Sequence, residues 1–269
     1  MRFSVVTPVM NGMPWLRECV ASVDSQRSDA GIEVEHLVYD AGSTDGSREW
    51  LAAEAKHAVL VFERDDGQTD ALARGFARAS GEVLLWLNSD DLLEPHALAR
   101  AATVFRAKAA CVGVSGACLV IDPEGAIVGA ISAAPVGSFE SMITERHNPP
   151  QPATFFRRSS YLAVGGLNRS LYYAMDVDLW LKLAKSGDFA PMPLDVLARF
   201  RLQPRAKTQL EPALAVREDF MVRRQHGMML RSRAALSLLR DGYVEPARRE
   251  LTGPLRKMLN RALSPRTSP

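Results

Sequence analysis

The sequence predicts an α/β fold: a mostly parallel sheet with helices on both faces, then a small antiparallel region and a helical C-terminal extension. Three observations carry this reading. Short apolar runs alternate with amphipathic stretches through the first 90 residues, the pattern of strand–helix–strand crossovers. Each of those runs empties into a polar or glycine-rich loop. The charge also divides along the chain: residues 1–198 hold 17 Lys+Arg against 25 Asp+Glu, and residues 199–269 hold 16 against 6, within a net charge of +2.

Taken in order, the strands are expected at Phe3–Thr7, Glu35–Tyr39, Val59–Phe62 and Glu82–Leu87, with helices between them at about 14–25, 46–56 and 69–79. Those helices are long enough for right-handed crossovers. The loops then gather at the carboxyl edge of the sheet, where open α/β folds place ligands. A helix from Pro95 to Lys108 follows, then strands Cys111–Ile121 and Ala126–Ile131 joined through Asp122-Pro123-Glu124-Gly125, a hairpin turn. The parallel pattern stops there. Beyond it come a proline-rich loop (Asn148–Pro152), a strand (Ala153–Arg157), a turn at Gly165-Gly166, a helix over Asp176–Lys185 and a strand over Leu194–Phe200. Helix formers run from Glu211 to Leu263, ending in a loose tail, Ser264–Pro269.

With 269 residues, 47% of them hydrophobic and 24% charged, the composition excludes wholesale disorder, collagen-like repetition and a disulfide-stapled miniprotein. No apolar run reaches the roughly 18 to 20 residues a membrane span requires. The longest, Ala109–Ile121, is broken by glycines and closed by Asp122. Met1–Pro8 reads as a strand rather than a secretory signal, so a cytoplasmic protein is expected, with a peripheral position at the inner face of the membrane as a further expectation. Cys19, Cys111 and Cys118 lack metal-type pairing and are expected as buried or free thiols.

Five constellations carry the chemistry. Val6-Thr7-Pro8-Val9-Met10-Asn11-Gly12 runs from a strand into a turn that can press main-chain groups against a flat ligand, or is an ordinary strand-to-helix turn. Asp40 closes the second strand, where a carboxylate reads ribose hydroxyls or a base N–H; Ser43 or Asp45 is placed to cap the next helix. The stretch Glu63–Ala71 brings four carboxylates to the same edge, with Asp70 one turn into a helix and able to reach back, while Asp65 and Asp66 fit a site and a solvated loop equally. Leu84–Asp91 is an apolar strand that empties into Asn88-Ser89-Asp90-Asp91. Burying such acids requires a cation or hydrogen-bond donors, and hard oxygen ligands suit Mg²⁺ or Mn²⁺. Finally, Asp176 and Asp178 open a helix and point in different directions, so that Asp176 can face the cleft as a general base while the other caps or pairs. Gly-x-Gly-x-x-Gly after the first strand and a phosphate-loop Gly-Lys-Ser/Thr are both absent, against dinucleotide oxidoreductases and P-loop enzymes.

In this order, these motifs resemble glycosyltransferase family 2. The likeness rests on Val-Val-Thr-Pro-Val-Met-Asn, Asp40 with Gly-Ser-Thr-Asp-Gly-Ser, Gly67–Ala71, Asn88–Asp91, Gln151–Arg157, Gly165-Gly166-Leu167 and Met175–Trp180, and covers about residues 3–208. It implies a GT-A fold, a nucleotide-diphospho-sugar donor (a UDP-sugar by family tendency), a divalent metal and inversion at the anomeric carbon. It implies that Thr7, Pro8 and Asn11 line the nucleotide pocket, that Asp40 contacts the base, and that Asp70, Asn88 and Asp90 lie near the nucleotide-sugar. Asp91, with Asp90, is implied as metal ligand and Asp176 as catalytic base, with Asp178 and Trp180 in support and Gln151, Phe155 and Arg157 on the acceptor side. Gln203 stands where relatives often have a His, and Asn88 where many have Asp.

The expected organisation is a GT-A domain over 1–208, divided into a nucleotide-sugar half (1–92) and an acceptor half (93–208), with a basic helical extension over 209–269. In that extension Met228, Met229, Leu230, Leu236, Leu238 and Leu239 read as a helix–helix seam. Arg223, Arg224, Arg231, Arg233 and Arg240 offer the rival reading, a peripheral membrane contact beside a glycan or lipid-linked acceptor. Nucleic acid is not expected, since no reading motif accompanies the charge, and a homo-oligomer is compatible. The alternatives in function are a catalytically idle nucleotide-sugar-binding subunit and a sugar nucleotidyltransferase; the latter would want a glycine- and lysine-rich loop after the first strand.

Overall fold

The computed structural model describes residues 1–133, 138–203 and 206–244. Alternating burial builds the first strand, β1 (Arg2–Val9): Phe3 and Val5 enter one side of the sheet and Val6 the other. Helix α1 (Leu16–Ser25), β2 (Glu33–Asp40), α2 (Ser47–Glu54), β3 (Ala58–Phe62), α3 (Gln68–Arg78) and β4 (Val83–Trp86) then complete three crossovers. All pairings here are parallel, in the order β3-β2-β1-β4, as the sequence predicts. Helix α3 lies unusually close to the sheet because residue 75 is glycine: a Cβ there would come within 2.4 Å of Val6.

The rest of the chain extends the same sheet. After the two-residue β5 (Leu92–Leu93) and α4 (Ala97–Ala107) come β6 (Gly113–Ile121) and β7 (Ile127–Ile131), paired as the expected hairpin. Helix α5 (Phe139–Glu145), β8 (Thr154–Arg157), α6 (Arg158–Ala163), α7 (Met175–Ser186) and β9 (Phe189–Arg201) follow. Strand β8 is antiparallel to both β4 and β6, so it is the joint at which the sheet changes character. Strand β9 begins five residues earlier than expected and runs parallel to β6, with register shifts at Gly116–Cys118.

Beyond β9 stand α8 (Lys207–Leu210), α9 (Pro212–Gln225) and α10 (Arg233–Leu239), then a single π turn to Val244. The boundary expected at 208/209 does not divide two cores. Val222, Met228, Ala234, Ala235 and Leu238 join the same cluster as Val6, Phe76, Phe156 and Trp180. Met228 and Leu238 therefore form a seam, but against the sheet domain, whereas Met229, Leu230 and Leu236 are exposed. The helices expected beyond 244, the tail Ser264–Pro269 and Pro204 lie outside the described residues. Among those residues, no helix is long and apolar enough to cross a membrane.

Candidate active site

The first three parallel strands end side by side, and the loops after β1 and β2 are sewn together by short polar side chains. Asn11, in the left-handed region, donates its N–H to Ser43 Oγ at 2.8 Å and accepts the Thr44 N–H on Oδ1 at 2.8 Å. Ser47 Oγ accepts from Gly12 N–H and Asp45 Oδ2 from Met13 N–H, at 3.0 and 2.8 Å. Asp45 also caps α2 through Ser47 N–H, the structural role read from the sequence. Asp40 is buried, its carboxylate accepting the N–H groups of Gly42 and Ser43 at 3.2 Å, so it shapes this loop. Pro8 is half-buried beside it. Thr7, by contrast, is fully buried and its hydroxyl meets His36 Nε2 at 3.0 Å, which takes its side chain out of the cleft.

Asn88 is the hub of the next loop, with all four of its hydrogen-bonding positions used. Its Oδ1 accepts from Gln68 and Trp86, and its Nδ2 donates to Asp91 and Gln151 at 3.1 Å each. Gln151 Nε2 also donates to the carbonyl of Trp86. Asp91 is fully buried. One oxygen accepts the Arg201 N–H at 3.0 Å and the other accepts Asn88, while burial and the neighbouring Asp90 hold its carboxyl well above the usual range. This departs from the expectation of Asp91 as the direct metal ligand, because its side chain is fully buried and each oxygen is engaged in holding the loop. Asp90 is half-buried and raised by burial, and its carboxylate carries the Gln203 amide. Arg201 locks the loop from beneath: its guanidinium reaches the carbonyls of Asp90, Asp122 and Pro123 and the carboxylate of Glu18.

The start of α7 is brought to this edge by α3. Gly67, with φ of 109°, opens α3 where a side chain would be strained. Thr69 then bonds the Leu171 carbonyl at 2.7 Å, and the buried Asp70 is clamped by Arg74 and Arg169. Asp70 therefore ties two elements together rather than facing a ligand, and Asp65 serves its own turn through Gly67 N–H. Glu218 of α9 accepts the N–H groups of Tyr172, Tyr173 and Ala174, holding the backbone that leads into α7 just ahead of Asp176. Lys207 donates to the Tyr172 carbonyl and lies 4.6 Å from that ring's centroid; burial pulls it down to about 8, against Asp176 and Glu218. With Gln203 on Asp90, these contacts form one circuit that links the loop after β4 to the segment leading into α7.

Asp176 stands in that circuit, half-buried, one oxygen accepting the Val177 N–H. Burial and then Asp219 push its carboxyl up to about 6, although the backbone bond and Arg223 oppose them. Asp178 is buried against His226 at 2.8 Å and Lys182 at 2.6 Å; burial would raise it, but those two partners win and hold it below the usual range. Three acceptor-side expectations are corrected. Phe155 packs edge-on to Phe3 inside the core, and Trp180 is fully buried between Phe156 and Phe189. Arg157 lies opposite Val83, at the far edge of the sheet, bonded to the carbonyls of Cys111 and Phe105. Gln68, Arg169, Lys207 and Glu218 were not singled out. Gln68 lies in a motif whose signal is its carboxylates, and Glu218 meets partners more than 40 residues away, beyond any local signal.

The family model described as glycosyl transferase family 2 matches residues 4–149. The chain belongs to glycosyltransferase family 2. An uncharacterized glycosyltransferase of Mycobacterium tuberculosis is 30% identical over 67% of this chain and 68% of its own length. Another, from Nostoc, is 34% identical over 39% of this chain, which spans only 33% of that relative. Among solved structures, S. aureus TarS in complex with UDP-GlcNAc superposes with a TM-score of 0.68 at 15% identity, over 98% of this chain and 80% of that one. The mannosyltransferase PcManGT from Pyrobaculum calidifontis, in complex with GDP-Man and Mn²⁺, gives 0.64 at 21%, over 99% and 76%. The family 2 domain thus has the expected GT-A fold.

The Mn²⁺ of that neighbour raises the question of fit. Among the described residues no three His, Cys, Asp or Glu side chains come together as a set that could hold a metal ion. Ions of this class need only one or two carboxylates when a substrate's phosphates supply further oxygens. Asp90, raised by burial and carrying an amide that can turn its oxygen inward, fits that shared arrangement.

Proposed function

We propose that this chain transfers a sugar from a nucleotide-diphospho-sugar, with UDP-sugars the first to test, to a hydroxyl of a glycan or lipid-linked acceptor. The reading further takes the reaction as divalent-metal-dependent and inverting. The observation that carries it is the pair of half-buried carboxyls on one circuit of contacts: Asp90 with its amide partner, and Asp176 pushed up to about 6.

In this reading the nucleotide lies over the loops of Pro8, Asn11 and Asp40, whose fixed shape is the recognition surface. Asp90 and Gln203 would hold Mn²⁺ or Mg²⁺ together with the donor's diphosphate. When bound, such an ion offsets the negative charge that grows on the diphosphate as the sugar leaves. Asn88 holds Gln68 and Gln151 at the rim of the same loop. Asp176 takes the proton from the acceptor hydroxyl: near neutral pH it is mostly ionised, yet more basic than an ordinary carboxylate. Glu218 fixes the backbone that aims it. One in-line displacement then inverts the anomeric carbon without a covalent intermediate.

The test is a screen of donor hydrolysis and transfer by the full chain across nucleotide sugars, with and without Mn²⁺, with the product's anomeric configuration read by NMR. Turnover with a matched donor, lost in excess chelator and giving inverted product, is expected. Full activity in chelator would remove the metal, retained configuration would remove the single displacement, and no turnover with any donor would favour an idle binding subunit.

A further inference from the structure

The hairpin of α9 and α10 ends in a tip that the catalytic reading does not use. From Phe220 to Arg240 the chain has five arginines and no acidic residue. Arg223 is drawn inside, bonded to Asp219, the Met142 carbonyl and Asn148, so it leaves the surface set expected from sequence. Arg224, Arg231 and Arg233 are exposed, whereas Arg240, at the other end of α10, pairs with Asp241. Between them stand large apolar side chains in water: Met221 is 53% exposed, Met229 52%, Leu230 56% and Leu236 60%. Met221 and Arg224 lie near the end of α9, Met229, Leu230 and Arg231 in the connecting turn, and Arg233 and Leu236 at the start of α10. Chain continuity alone keeps them at one end of the hairpin.

We propose that this tip is a membrane-docking surface that seats the protein on an anionic phospholipid bilayer. Apolar side chains enter the acyl boundary while arginines meet phosphate headgroups, the arrangement by which interfacial helices bind. Charge selects this occupant. A second copy would bring two arginine-rich tips together and repel, and a nucleic acid would leave the Met and Leu side chains in water. The proposal does not depend on the chemistry assigned to Asp176, although the docking helix α9 also carries Glu218, which holds the backbone ahead of that residue.

The experiment is co-sedimentation of the full chain with vesicles of phosphatidylcholine alone and of phosphatidylcholine mixed with phosphatidylglycerol. Binding to the mixed vesicles only, weakened by salt, is expected. Met229→Ser with Leu230→Ser, and separately Arg231→Glu with Arg233→Glu, should each lower the partition coefficient about tenfold or more, with circular dichroism and donor hydrolysis in solution unchanged. Equal binding to both vesicle types, or undiminished binding by both variants, overturns the proposal. So does a stable dimer of the parent chain that the Met229/Leu230 variant loses, since the tip would then be covered by a second copy. Donor hydrolysis separates this failure from a failure of the catalytic reading.

Discussion

The loop after β4 and the start of α7 each present two closely spaced aspartates, and in each the fold divides the pair in the same way. Asp91 and Asp178 are buried and tied by two partners apiece: a backbone N–H and Asn88 for the first, His226 and Lys182 for the second. Asp90 and Asp176 are half-buried, each with a single side-chain or local partner and a carboxyl pushed upward. The tied member holds its segment still and the other is left with capacity for chemistry. The two regions differ in how the tied member is satisfied: neutral donors leave Asp91 raised, while hydrogen bonds from His226 and the Lys182 ammonium draw Asp178 down.

The sharpest way to break this division is Asp176→Asn. Transfer should fall about 10²- to 10⁴-fold, the range of a positioned general base, while donor affinity measured by calorimetry stays unchanged. The same variant should be more stable than the parent above pH 6. A carboxyl raised on folding contributes stability below its unfolded value, and that contribution is lost as pH rises through about 6. A neutral amide escapes the loss, by at most about 3 kcal/mol. Thermal melts at pH 4 and pH 8 measure the difference.

Asp178→Ala should do the reverse, costing about 1.5–3 kcal/mol in urea unfolding at neutral pH by removing the carboxylate that accepts from His226 and Lys182. Because its carboxyl is held low, the contribution is present above the unfolded value and lost as pH falls through the lower folded one, so the penalty shrinks in acid. In the other pair, Asp90→Ala should lower kcat/KM about 10²- to 10³-fold with little change in unfolding midpoint. Asp91→Ala should instead cost about 3 kcal/mol through two orphaned donors. Equal activity losses without a stability split would dissolve the distinction. The smallest effect is Glu218→Gln, about 1 kcal/mol, since the amide oxygen still accepts the N–H groups of Tyr172–Ala174 but without charge assistance.

The carboxyl edge of the sheet was legible because strand polarity follows from the strand–helix alternation, which fixes where Asn11, Asp40 and Asn88 must emerge. Which of two adjacent aspartates faces outward was not, since Asp90 and Asp91 share every sequence property and differ only in the backbone direction that Arg201 N–H imposes. The acceptor-side readings failed at β8 for a related reason. A strand's direction is set by its partner, and pairing antiparallel to β4 sends Arg157 to the far edge and Phe155 into the core. Glu218 was hidden because a helix read as a basic extension folds back onto the segment that leads into α7.

The most direct test of the division is the pH dependence of kcat/KM for transfer, which reports groups of the free enzyme. An acidic limb with an apparent pKa near 6, retained at lower amplitude in Asp90→Asn and absent from the residual activity of Asp176→Asn, is predicted. A limb unchanged in Asp176→Asn would contradict the assignment of the proton to Asp176.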